Sequence, residues 1–278
     1  MSYDLFLRPE ADLIDVTLWF AERGYQMSEG QAFYENEKTG VYFAFWLSES
    51  EGRVEAAFNL NFFRPDIFAL EAEGHVAAFM EAFAPILEDP QVDGMGSGPY
   101  SQEGFLRGWN AGNAMAGRVL TEQGVTAGQL PRALNRAVWN WNRSREAYMD
   151  RLGSIEMIGV FVPTVLLMEV EGAVGTAVIW TEGVPIALPR VEWIAAVFPR
   201  KSAPRWLRYE EIWSLLGGHE QRSNHHFELD GRSFETGFSH HFIREVGPDL
   251  EGRLSTLGEP HEVQRWAPGD VIDEEILL

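Results

Sequence analysis

The chain has 278 residues, of which 45% are apolar and 23% charged, ordinary values for a protein that buries a sizeable core, so wholesale disorder is excluded. Its formal net charge of −20 opposes binding to nucleic acid or anionic lipid, and the absence of cysteine excludes disulfides, thiolate nucleophiles and cysteine-ligated zinc. The charge either serves solubility alone or attracts a basic protein at long range. The start of the chain lacks a basic and then apolar leader pattern, and the most apolar run, Ile158 to Met168, is too short to span a bilayer. A cytoplasmic protein without membrane association is the expectation.

Taken in order, Ser2 to Arg8 reads as a first strand that Pro9 ends. Leu13, Val16 and Phe20, with Ile14 and Trp19, recur at helical spacing until Gly24. Gln31 to Glu35 predicts a short strand, followed by a turn at Asn36–Gly40. The stretch from Val41 to Phe63 then alternates with period two about a polar break at Ser48–Gly52, which predicts a β-hairpin at the heart of a sheet. In its first arm Val41, Phe43, Phe45 and Leu47 oppose Tyr42, Ala44 and Trp46, so both faces are expected to be buried. In its second arm Val54, Ala56, Phe58, Leu60 and Phe62 oppose the polar set Arg53, Glu55, Asn59 and Asn61.

Val76, Phe79, Met80 and Phe83 mark a helix that Pro85 closes, and Asp89 to Tyr100 is a loop rich in Gly and Pro. Ser101 caps a helix running to about Glu122, along which Gly104, Gly108, Gly112 and Ala116 lie four apart. Each Gly costs a helix about 1 kcal/mol relative to Ala. Such a bare ridge is expected where another backbone, or a ligand, comes close. Thr126 to Leu130 is read as a linker. Pro131 opens a helix to Leu152 with the apolar stripe Leu134, Val138, Trp141, Tyr148 and Leu152.

From Ile158 to Phe198 the runs rich in Val, Ile and Leu predict three strands, Leu207 to Leu216 a short helix, and Asn224 to Phe238 a hairpin about Asp230-Gly231. Glu262 onward adds one strand before Pro268. Helices alternating with antiparallel hairpins predict an α+β fold, mostly antiparallel sheets with packed helices. Strand-helix-strand-strand order appears near Tyr3–Phe62 and loosely near Val191–Phe238 without a repeated residue pattern. The organisation expected is one domain over residues 1–278, or two intimate lobes, 1–125 and 155–278, joined by a helix over 131–152.

Chemistry has no strong signature. Five histidines, His219, His225, His226, His240 and His241, fall close together, and a bend could gather His226, Glu235 and His240 around a metal. Adjacent histidines on a strand face opposite ways, which weakens that site. Gly94-Met95-Gly96-Ser97-Gly98 shares only its glycines with a phosphate loop: no Lys follows. Neither G-x-S-x-G nor H-E-x-x-H is present. Arg132, Arg136, Trp139 and Arg143 share one helix face. They form either a solvated face paired with the chain's own acids or a binding site with Trp139 as a stacking platform. No cofactor is expected.

The opening Tyr3-Asp4-Leu5, the strand Thr39-Gly40-Val41-Tyr42-Phe43, Phe58-Asn59-Leu60-Asn61 with Arg64-Pro65, and Trp139-Asn140-Trp141-Asn142 together resemble bacterial immunity proteins of polymorphic toxin systems, near the immunity-protein-52 type. The resemblance implies a non-enzymatic protein that binds and neutralises one cognate toxin, and the acidity fits a basic, nuclease-type partner. It places no contact residue. Two other classes compete: a metal- or carboxylate-dependent hydrolase with its site in the His-rich C-terminal half, and a small-ligand module at the Gly-rich segment.

Overall fold

The computed structural model describes residues 1–154, 159–181, 183–198, 203–216, 222–223, 226–229, 232–235, 237–243 and 262–277. The architecture is α+β with mostly antiparallel sheets. The chain divides into two compact units, Met1–Arg132 with Pro268–Leu278, and Ala133–Ala267. The division therefore lies at the start of the helix expected to join two lobes, and the last eleven residues belong with the N-terminal part.

The first unit is built on a six-stranded antiparallel sheet. Its elements in chain order are β1 (Ser2–Arg8), α1 (Leu13–Glu22), β2 (Gln26–Ser28), β3 (Gln31–Asn36), β4 (Val41–Ser50), β5 (Arg53–Asn61), α2 (Ile67–Phe83), β6 (Ile86–Glu88), α3 (Gln102–Glu122) and β7 (Gly128–Leu130). The strand order is β2-β3-β4-β5-β1-β6, so the hairpin of β4 and β5 does lie at the centre. Its turn is two residues long: Ser50 pairs with Arg53, and Glu51 and Gly52 both take positive φ, 54° and 71°. Both central residues with φ above zero are what a tight hairpin matching strand twist requires.

One face of this sheet carries Tyr3, Leu5, Leu7, Val41, Phe43, Phe45, Val54, Ala56, Phe58 and Leu60, all buried. Val16, Trp19 and Phe20 of α1, Val76 and Phe79 of α2 and Phe105 of α3 complete the core. Rings interlock edge to face and stacked, with Phe20 stacked on Phe79 at 5.5 Å and Tyr3 edge to face with Phe105 at 5.2 Å. Each such pair adds about 0.5–1.5 kcal/mol to its area burial.

The glycine ridge of α3 is a packing surface. Ser101 caps the helix, its hydroxyl accepting the Gly104 N–H at 3.1 Å. A Cβ on Gly108 would lie 2.9 Å from the Gly94 Cα and 3.0 Å from the Tyr3 hydroxyl, and one on Gly112 would run into the Phe62 ring. Gly117, which the four-residue spacing misses, meets Ile276 in the same way. The helix thus trades intrinsic propensity for close approach. The segment read as a linker holds β7, which pairs in parallel with the C-terminal strand Val271–Asp273.

In the second unit α4 (Arg132–Ser154) buries Val138, Trp141, Tyr148 and Leu152 of its sequence stripe, while Leu134 is half-buried. The Trp141 indole N–H donates to the Pro163 carbonyl at 2.6 Å. The Asn142 amide donates to the Val165 carbonyl and accepts the Val165 N–H, each at 2.9 Å. Among the described residues four strands, not three, follow: β8 (Leu166–Val170), β9 (Ala173–Thr181), β10 (Ile186–Pro189) and β11 (Trp193–Val197). The run starting near Leu207 is split between β12 (Arg205–Arg208) and α5 (Tyr209–Leu216), because Trp206 and Leu207 both face the interior of the unit.

The remaining strands are β13 (Arg222–Ser223), β14 (His226–Leu229), β15 (Arg232–Glu235), β16 (His240–Ile243) and β17 (Val263–Trp266), with β18 (Val271–Asp273) returning to the first unit. β14 and β15 pair antiparallel, Leu229 with Arg232 and His226 with Glu235. The larger sheet here has the order β12-β11-β9-β8-β17 over a core of Met168, Val170, Ala177, Trp193, Ala195 and Trp206.

Candidate functional site

On the second face of the six-stranded sheet Trp46 is exposed, and α2 meets that face at Tyr42, whose ring lies 5.4 Å from Phe68. All three helices of the first unit contribute to the core on the opposite side. Register decides which side chains share the open face, because residues directly opposite across a ladder point the same way. One row runs Gln31, Trp46, Ala57, Phe6, Glu88 across β3, β4, β5, β1 and β6. The next runs Phe33, Ala44, Asn59, Asp4. Trp46 is 53% exposed, so the expectation that both faces of β4 are buried fails at this residue. The physical reason is the polar row of β5: Glu55, Asn59 and Asn61 lie on the same face as Trp46, and a packed layer there would have to strip water from all of them.

Phe6, Phe33 and Ala57 are half-buried around Trp46. Two acidic clusters flank them. Arg8 bridges Glu55 and Glu88, with both N–O distances at 3.0 Å. Asp4 accepts the Asn59 amide at 2.6 Å and the Ser2 hydroxyl at 3.0 Å, and no basic side chain among the described residues pairs with it. Charge is also unevenly divided along the chain. The first unit carries 24 Asp and Glu against 8 Lys and Arg, net −16, and the second 18 against 14, net −4. The open aromatic face thus belongs to the unit that holds most of the surplus.

The residues singled out by sequence fall elsewhere. Arg132 lies 3.4 Å from Asp66 and 3.3 Å from Asp273, while its backbone N–H donates to Glu275. Its partners are the chain's own acids, and it ties the C-terminal strand to the first unit. The Arg143 guanidinium sits 4.3 Å from the Trp139 ring centroid, and Arg136 and Trp139 are likewise engaged within the chain.

Of the histidine set, His240 is fully buried. Its Nδ1–H donates to the Phe238 carbonyl at 3.3 Å, which leaves Nε2 to accept the Tyr148 hydroxyl at 2.6 Å. The side chains of His226 and Glu235, and all of His219 and His225, lie outside the described residues. Among the described residues no cluster of three ligating side chains could hold a metal.

The glycine-rich loop is organised around an acid. Asp89 is buried and accepts the Tyr3 hydroxyl at 2.7 Å, the Met95 N–H at 2.8 Å and the Gln91 N–H at 3.0 Å. A carboxylate takes backbone donors that a phosphate loop would offer to its ligand. Burial, and then the Asp89 carboxylate, push the Tyr3 hydroxyl well above its ordinary value, so it stays a donor.

A second polar cluster sits on α2. Glu71 accepts the Tyr34 hydroxyl at 2.9 Å, the Asn36 amide at 2.7 Å and the Thr39 hydroxyl at 3.2 Å, and so pins the turn before β4. One helical turn on, His75 packs among Tyr25, Tyr34 and Phe43, with the Tyr25 hydroxyl 2.7 Å from its Nδ1. Burial pushes the His75 imidazole below its ordinary 6.5, against a smaller opposing pull from Glu71. Above 6.5 the ring is neutral whether the chain is folded or not. As pH falls below that, the unfolded chain takes the proton first, and stability is lost until the folded value is reached. The urea midpoint should therefore drop between about pH 7.5 and 5.5 more in the wild type than in His75→Gln, where the amide still accepts from Tyr25. Equal drops in both would show that His75 does not titrate this way.

A scan against protein-family models finds no match, and no curated protein and no solved structure matches the chain. No helix among the described residues is long and apolar enough to cross a membrane.

Proposed function

We propose that this protein is an immunity protein: it binds a cognate, basic, nuclease-type toxin in the cytoplasm and neutralises it, without catalysis of its own. The observation that carries the reading is the coincidence of an open aromatic sheet face with the unit of net charge −16. An exposed Trp with flanking Phe residues supplies desolvated anchors, and a rim of carboxylates supplies long-range attraction and orientation. A toxin that binds phosphates presents the complementary positive surface, which an acidic inhibitor can occupy in place of the nucleic acid. Two copies of a unit this acidic repel each other, which favours a different, basic chain over self-association through the same face.

The test is genetic. The toxin domain encoded by the neighbouring reading frame is expressed from an inducible promoter, alone and with this protein. Growth should stop with the domain alone and resume with both. A toxic domain whose effect this protein leaves unchanged would refute the reading.

A further inference from the structure

We propose that the open face contains a slot for a single arginine side chain of the partner. The proposal rests on the binding reading above and extends it to one residue chemistry. Trp46, Ala57 and Phe6 are consecutive across β4, β5 and β1. Adjacent strands lie about 4.8 Å apart, so the two aromatic residues stand about 10 Å apart with a methyl group between them. Trp46 is 53% exposed and Phe6 is half-buried, so each ring keeps a solvent-facing side. The walls are aromatic, the floor is Ala57, and the width admits one flat group.

The two ends of the slot differ. At one end Arg8 already bridges Glu55 and Glu88, so both carboxylates there have a cationic partner, whereas Asp4 at the other end has none among the described residues. At the other, Asp4 lies two residues from Phe6 on the same face of β1, about 7 Å along the strand. Its two oxygens accept from Asn59 and Ser2, and a carboxylate has about four acceptor positions. A guanidinium entering between the rings finds Asp4 held in place with acceptor capacity to spare. Arginine fits better than lysine because its head is flat, weakly hydrated, stacks on aromatic faces and pairs with a carboxylate through two donors. The orientation is therefore fixed: aliphatic stem over Ala57, guanidinium towards Asp4.

The test uses the full chain with labelled tryptophans and the peptide acetyl-Gly-Arg-Gly-amide as probe. Peptides with citrulline or lysine in place of arginine serve as controls. The Trp46 indole resonance is assigned as the one absent from Trp46→Phe. The arginine peptide should shift it with an approximately millimolar midpoint, the scale of one stacked cation and one exposed ion pair. The lysine peptide should shift it less and the citrulline peptide not at all. Asp4→Asn should weaken the arginine titration several-fold while leaving the other indole resonances in place. An equal response to arginine and citrulline, no response to arginine, or an unchanged titration in Asp4→Asn would each overturn the slot. Neutralisation of a toxin without a response to the arginine peptide would overturn the slot alone; a response without neutralisation would overturn the immunity reading alone.

Discussion

Replacing Trp46 by alanine is expected to weaken binding of the toxin domain about 30- to 1,000-fold, the effect of losing 2–4 kcal/mol at a central aromatic anchor. Stability should change by less than about 1 kcal/mol, because the side chain is 53% exposed and loses few contacts when truncated. The two effects separate cleanly: isothermal titration reads the first and urea unfolding the second. A variant that binds within threefold of wild type would remove Trp46 from the contact face. Trp46→Tyr should keep most of the affinity, since the ring that stacks is retained.

Gly108→Leu is expected to destabilise the first unit by at least about 3 kcal/mol and to lower its unfolding temperature by about 6–12 °C. The glycine faces the Gly94 Cα and the Tyr3 hydroxyl, so even a Cβ needs space that backbone occupies. Tyr3 cannot retreat without breaking its bond to the buried Asp89, which also holds the Met95 N–H. Gly74→Ala is the internal comparison. It too is a helical glycine, in the interior of α2, but an added Cβ would meet nothing within 4 Å. Alanine there should stabilise by about 0.5–1 kcal/mol through propensity alone. Opposite signs at two helical glycines would show that the α3 ridge exists for contact; a Gly108→Leu protein as stable as wild type would refute it.

Much of the fold is legible in residue order because local chemistry and tertiary packing agree there. Period-two alternation places the central hairpin, the Ser101 cap starts α3, and β14 pairs with β15 within the hairpin expected over Asn224 to Phe238. Where they disagree, the reading slips. Gly128–Leu130 has no strand signal of its own and becomes one only because Val271–Asp273, distant in sequence, pairs with it. Leu207 and Arg208 read as the start of the helix that becomes α5, yet ladder bonds to β11 make them part of a strand.

The open face was written in the sequence in two halves that needed a register to join them. The polar residues of β5 and the aromatic residues of β4 each alternate plainly. Only the two-residue turn at Glu51-Gly52 puts them on one surface, which identifies Trp46 as exposed and not buried. The arginines of α4 stood out as basic residues in an acidic chain, but Arg132 spends its charge on Asp66 and Asp273. Sequence could not show this, because Asp273 lies 141 residues away.

The uneven division of charge gives the binding account its sharpest consequence. Attraction between a unit of net charge −16 and a basic toxin acts over a Debye length, about 30 Å at 0.01 M salt and about 8 Å at 0.15 M. The association rate constant of the purified pair, followed by stopped flow as sodium chloride rises from about 0.02 to 0.5 M, should fall at least tenfold while the dissociation rate changes little. A complex whose association rate is indifferent to salt, or a toxin domain that does not associate at all, would contradict it.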